Sequence, residues 1–213
     1  MHAVRIYKQP TEIADRLSSF GTSVTEIIPV IEQIVAARND VVAIDAKTAA
    51  GTKAYLAGVR HIRFLFMPKG WEPDFENGVE SVVHPESGVK IVYQSVDQAC
   101  MGFKAPQAIN GKGPAAETLI QSAQGTLFKA EELPEVAPAE IEKLNSSVWF
   151  LCVSARDDDV RAELSLPAAI VGGNFKGFLE RIFIVKDGEW DRRDRLGDMP
   201  EDDGAYEFSI VRR

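Results

Sequence analysis

Two short segments carry the residue types from which acid–base or metal-assisted chemistry could be assembled. Lys90, Gln94 and Asp97 lie in one, and Arg161, Glu163 and Ser165 in the other, with Gln94 and Arg161 as candidates for binding. Paired carboxylates hold a divalent cation through hard oxygen ligands, and a lysine beside them offsets developing negative charge. On that reading Lys90, Asp97 and Glu163 are catalytic, Asp97 and Glu163 hold Mg²⁺, and the reaction is phosphodiester cleavage. Two features count against it. The short Glu-x-Lys pairing of the common nuclease core is missing. Asp97 also has the opposite parity to Lys90 along an extended chain, so it joins the same face only through a bulge or past the strand end. The plainer account is an outward polar face with cross-strand ion pairs.

Three further clusters suit binding rather than catalysis. Lys53, Arg60, His61 and Arg63, with Lys69 just beyond, make a local basic patch that suits a nucleic-acid backbone or an acidic partner, or simply a solvated helix face. Asn110-Gly-Lys-Gly-Pro114 places Lys112 and two glycines ahead of a helix start, a setting for an anion, although the Walker spacing is missing. Asp191-Arg-Arg-Asp-Arg195 follows Trp190, and arginine beside tryptophan can stack on bases; a self-paired loop is the simpler alternative.

Other chemistries find little support. His2, His61 and His84 are not at metal-ligand spacing, and there is no Gly-x-Ser-x-Gly. Cys100 and Cys152 stand 52 positions apart without a CxxC, and read as two free buried thiols. Asp157-Asp-Asp159 lacks the glycine and downstream glutamate of a calcium loop and reads as a turn. With 24 basic against 32 acidic residues the net charge is −8, unlike a protein that grips nucleic-acid phosphate over its whole surface. Met1–Lys8 has no apolar leader and no window reaches 18 apolar residues, so the expectation is a cytoplasmic protein with no membrane contact.

The elements that must position these residues are set by hydrophobic period. Pro10 opens a helix containing Ile13, Leu17 and Phe20, and Gly21 ends it. Ser23 and Glu26 form a capping-box pattern ahead of Val24, Ile27, Ile28, Ile31, Ile34 and Val35, which predicts a helix over 23–37 with Pro29 kinking it or delaying its start. A second long helix spans about 50–66, ending at Pro68-Lys-Gly. On it Tyr55, Val59, Ile62 and Phe66 share the face expected to be buried, with Leu56 at its edge. Lys53 and Arg60 then point away, and Arg63 flanks that face.

From residue 78 the period becomes two. Residues 78–97 read as a hairpin turning at Pro85-Glu-Ser-Gly88, 147–155 as an apolar interior strand, and 160–166 as an alternating one. Phe175–Val185 fits either helix or strand, and its β-branched and aromatic content favours a strand over 179–186. A short helix at 114–123, one or two turns at 138–145 and a last strand through Tyr206, Phe208 and Ile210 complete the reading. The expected fold is α+β: an antiparallel sheet of about five or six strands with N-terminal helices packed on one face. The chain reads as one domain over 1–213, helical over 10–67 and β-rich over 78–213, with a weak candidate boundary at 125–140.

Three stretches resemble uncharacterised proteins of bacterial prophages and plasmids: Gly51–Arg60 through Pro68-Lys-Gly-Trp-Glu72, Gly88-Val-Lys-Ile-Val-Tyr-Gln-Ser-Val-Asp-Gln-Ala-Cys100, and Glu163-Leu-Ser-Leu-Pro167. The resemblance covers about two-thirds of the chain and implies a mobile-element setting, without functional residues to carry over. The expectation is a non-enzymatic binding or regulatory protein acting on a nucleic-acid-processing partner, needing no cofactor. A protein partner is expected first, and nucleic acid through the local basic patches second. The alternative is the Mg²⁺-dependent phosphodiesterase or nuclease.

Overall fold

The computed structural model describes residues 4–76, 78–109, 147–156, 159–171 and 173–190. Its helices follow from their start signals. Pro10 occupies the first turn of α1 (Pro10–Ser18), where its missing N–H is no loss, and Gln9 and Glu12 cap each other's backbone. α2 (Val24–Asn39) runs through Pro29 and buries Ile27, Ile28, Ile31, Ile34 and Val35. α3 (Ala49–Phe66) tightens into a 3₁₀ turn at Met67–Lys69, closed by Gly70 at φ 87°, a left-handed position that favours glycine. Lys69 ties this end to α2 through Glu26 at 2.7 Å and the Gly21 carbonyl at 2.8 Å.

The strands are β1 (Arg5–Tyr7), β2 (Glu72–Glu76), β3 (Val79–Val83), β4 (Lys90–Ser95), β5 (Val148–Arg156), β6 (Asp159–Pro167), β7 (Ile170–Val171), β8 (Asn174–Phe175) and β9 (Phe178–Val185). Seven form one sheet in the order β1-β9-β6-β5-β4-β3-β2, and β7 and β8 make a small separate hairpin. The α+β class holds, but the sheet is larger than five or six strands and is mixed. β1 lies parallel to β9 and β4 parallel to β5, while the other neighbours are antiparallel. Alternation reports which residues face a core but not which strand lies alongside, so both parallel pairings, between segments far apart in the chain, escaped the sequence reading.

β5 is apolar on both faces because both are covered. Trp149, Leu151 and Val153 join Ile91, Tyr93, Leu164 and Ile182 in a core shared with Ile27, Ile31, Ile62 and Phe66 of the helices. Phe20 meets the Trp149 ring edge-on at 4.9 Å, and Arg16 of α1 binds Glu180 of β9 at 2.7 Å. On the other face Val92, Phe150 and Cys152 pack with Ile170, Phe175 and Phe178 and with Val96 and Ala99. Ala99 belongs to a strap, residues 97–109, that crosses this face and returns to the end of β4 where Ala108 bridges Val96.

α3 sits on the sheet by a face that includes the expected Ile62 and Phe66 but is turned away from Tyr55 and Val59. Ala54, Ala57, Gly58, Ile62 and Phe66 are buried, whereas Tyr55 and Val59 are only half-buried. The cause is close approach: a Cβ on Gly58 would lie 2.4 Å from Cγ of Tyr93. Small residues let the first half of the helix lie down on the sheet, and Leu56 and Phe64 are turned outward. Lys112, the Asp191–Arg195 run, the helix at 114–123, the turns at 138–145, the strand through Tyr206 and the 125–140 boundary lie outside the described residues.

Candidate functional site

The polar residues of the strap face are held by one another. Glu163 (0% exposed) takes Nε and Nη2 of Arg181 (3%) at 2.8 and 2.7 Å, the Ser165 hydroxyl at 2.7 Å and the Cys100 backbone N–H at 2.5 Å. Nη1 of Arg181 donates to the Met101 and Lys104 carbonyls at 2.8 and 3.3 Å. One buried ion pair thus fastens the strap to β6 and β9, with both charges answered by several hydrogen bonds.

Cys100 completes the fastening. Between β6 and β9 the register slips: Ala162 pairs with Val185 but Glu163 pairs with Phe183, leaving Ile184 without a cross-strand partner. The Cys100 thiol fills this bulge, donating to the Ala162 carbonyl at 3.1 Å and accepting from the Ile184 amide. Its backbone is held left-handed at φ 57° to do so. Burial, reinforced by the Glu163 carboxylate, pushes the thiol well above its ordinary pKa, so it is no activated nucleophile. Cys100 and Cys152 are both free thiols.

The three residues proposed for catalysis are held by separate partners. Lys90 binds Asp74 at 2.8 Å and Glu76 at 2.5 Å on the β2 side of the sheet. In register, Lys90 aligns with Val148, whereas Gln94 aligns with Cys152 and through it with Glu163. Lys90 is therefore displaced by four residues, roughly 13 Å along the strand. Asp97 lies past the end of β4 and organises the strap, accepting from the Gln98 and Gln107 amides at 2.7 and 2.8 Å and from Lys104 at 2.7 Å. Burial opposes its ionisation, but Lys104 and the two amides outweigh that and hold the carboxyl below the usual range. Among the described residues no group of three or more His, Cys, Asp or Glu is placed to hold a metal ion.

The residues proposed for binding are mostly committed as well. Gln94 is buried and donates to the Ser95 carbonyl at 2.8 Å. Arg161 is gripped by Asp159 at 2.7 Å and Asp187 at 2.8 Å, with Met101 against it. Lys53 bonds the Asp40 carbonyl and carboxylate. Arg63 spans from α3 to the sheet, reaching Glu80 at 2.5 Å and the Asp74 and Ser81 carbonyls, while its buried Nε finds no acceptor. Among the described residues Arg60 makes no ion pair and stands exposed.

Arg60 borders the feature that the sequence reading missed. Leu56 (58% exposed) and Phe64 (66%) stand out from α3 and Met67 (46%) from the 3₁₀ turn that follows it, with Val59 half-buried between them. Together with Tyr55, Arg60, Arg63 and Glu80 they line a groove of about 440 Å³ between α3 and β3. Phe75 (66%) lies opposite Glu80 on β2 and extends the apolar surface toward the sheet edge. A second hollow, between the start of α1, the start of α2 and the end of β9, contains no exposed large apolar side chain. The signal for the groove was present: Ala54, Ala57 and Gly58 form a stripe of small residues opposite the large ones. Hydrophobicity alone does not distinguish a face that lies close from one that stands open.

Compared with protein-family models, with curated proteins and with solved structures, the chain matches none. Among the described residues no helix is long and apolar enough to cross a membrane.

Proposed function

We propose that this protein is a non-enzymatic binding protein that holds a protein partner in the groove on the outer side of α3. The observation that carries this reading is the division of one helix into two apolar faces. Its small residues are used up against the sheet, while Leu56, Phe64 and Met67 remain exposed at one-turn or two-turn spacing. An exposed apolar stripe with a polar rim marks an interaction surface more often than a solvated one. Under the resemblance to prophage and plasmid proteins, the partner is one that processes nucleic acid, and the chain acts as its regulator. The phosphodiesterase alternative has less support, since Lys90, Asp97 and Glu163 each answer to different neighbours.

The test uses a photo-crosslinking residue at position 64, with position 32 on the exposed side of α2 as control, in nuclease-treated host extract. A specific protein adduct at 64, absent at 32 and lost in a Leu56→Asp chain that unfolds at the same denaturant concentration, is expected. Equal labelling at both positions, or an adduct indifferent to Leu56→Asp, removes the reading.

A further inference from the structure

The groove has a sign as well as a shape, and this narrows what it takes. The chain carries −8 overall, yet the middle of this stripe presents Arg60 free of any ion pair among the described residues, with Arg63 one turn on. Among the described residues the carboxylate that lines the groove is Glu80, and Arg63 engages it at 2.5 Å. An occupant therefore meets apolar side chains flanking a cation that no described residue pairs with. Resting on the groove as a docking surface, we propose that the occupant is an acidic amphipathic helix of another protein. Its large apolar side chains lie at i, i+3 or i+4, and i+7 between Leu56 and Met67, and an Asp or Glu at its middle meets Arg60.

Three physical points favour this over other occupants. The stripe from Leu56 to Met67 spans eleven residue steps, about 16 Å or three helical turns, which matches a helix laid alongside it. An extended partner would instead add to the open edge of β2, which carries Glu72, Pro73, Asp74 and Glu76; proline and like charge discourage a strand, above all an acidic one. A second copy of the same chain fits poorly. In a two-fold pairing centred on the stripe, Arg60 and Arg63 of one copy face the same residues of the other, with no free carboxylate among the described residues of the groove to separate them.

The experiment displays a library of helical peptides with randomised interior positions and selects on the intact protein, counter-selecting on Phe64→Asp. Enrichment of large apolar residues at helical spacing with Asp or Glu between them is expected. A selected peptide should then bind Arg60→Glu about fivefold more weakly by fluorescence anisotropy, a factor set by one partly exposed ion pair. Its Glu→Lys version should recover on Arg60→Glu. Sedimentation should show a monomer at the concentrations used. Peptides enriched in Lys or Arg, peptides with an alternating extended pattern, or a dimer dissociated by Phe64→Asp would each overturn the acidic-helix occupant while leaving a functional groove. No enrichment over the Phe64→Asp control overturns the groove itself.

Discussion

Glu163, a metal ligand only under the alternative sequence reading, is held in a buried ion pair with Arg181. Its type and parity were legible, since Arg161, Glu163 and Ser165 do share the face away from the helices, but its partner was not. Arg181 lies 18 residues away in a segment whose helix or strand character was itself ambiguous. The pair is fully enclosed, so its two halves depend on each other. Removing the carboxylate leaves a buried guanidinium without its counter-charge, and Glu163→Met should cost about 3–5 kcal/mol. The double change Glu163→Met with Arg181→Met removes both charges and should cost less than either single change. Urea unfolding of the three variants decides this; a double variant as unstable as the sum of the singles refutes the account. Asp97 gives the strap a pH dependence. Its carboxyl sits below the usual range in the folded chain, so its contribution is complete above the unfolded value near 3.9 and disappears as pH falls through the lower folded value. Amide exchange at Gln98 and Gln107 should therefore quicken below about pH 4, and Asp97→Asn should abolish the step. Unchanged protection of those two amides in acid would contradict it.

Elements with their own start signals were legible, and those defined only by neighbours were not. The Ser23/Glu26 pattern placed the start of α2 within a residue, and Pro68-Lys-Gly marked the end of α3. β2 escaped because Glu72-Pro-Asp-Phe-Glu76 has no inward face: at the edge of the sheet its period records nothing apolar. On α3 the period shows the helix but not its rotation, because Ala54, Ala57 and Gly58 carry little hydrophobic weight beside Tyr55 and Val59. That rotation makes a contrasting pair of outcomes. Gly58→Ala gains helix propensity but drives a Cβ into the Tyr93 ring, which is packed on all sides, so a net loss of about 2 kcal/mol is expected. Gly51→Ala on the same helix meets nothing within 4 Å and should gain about 0.5 kcal/mol. In the same way Phe64→Ala should change stability by less than about 0.5 kcal/mol, whereas Ile62→Ala should cost about 2–5 kcal/mol. Guanidinium unfolding midpoints of the four variants settle which face of α3 is inside; if Phe64→Ala proves as costly as Ile62→Ala, the exposed stripe is not exposed.

At the scale of the molecule, the sheet is ordered by pairings that cross the whole sequence. β1 contributes three residues, yet they align with Glu180–Ile182 of β9 in a parallel ladder, backed by Tyr7 on Glu180 at 3.2 Å and Lys186 on the Lys8 carbonyl at 3.3 Å. Nothing in Arg5-Ile-Tyr7 announces that partner, and a strand this short has too little period to separate it from a loose arm. The two edges of the sheet are guarded by different means. β2 carries Pro73 and three acids, which discourage a further strand. β9 has no such guard: Phe178-Leu-Glu-Arg-Ile-Phe-Ile-Val185 is rich in β-forming residues, and β1 shields its edge. A chain lacking residues 1–8 should therefore fail in two separable ways. Losing the burial of Tyr7 alone removes about 2 kcal/mol, which lowers the unfolding midpoint independently of concentration. The bared edge of β9 adds an association that grows with concentration in light scattering and recedes when Leu179→Lys places a new charge beside Glu180, at the end of the former ladder. A truncated chain that stays monomeric with its midpoint unchanged would show that β1 rests on the sheet without guarding it.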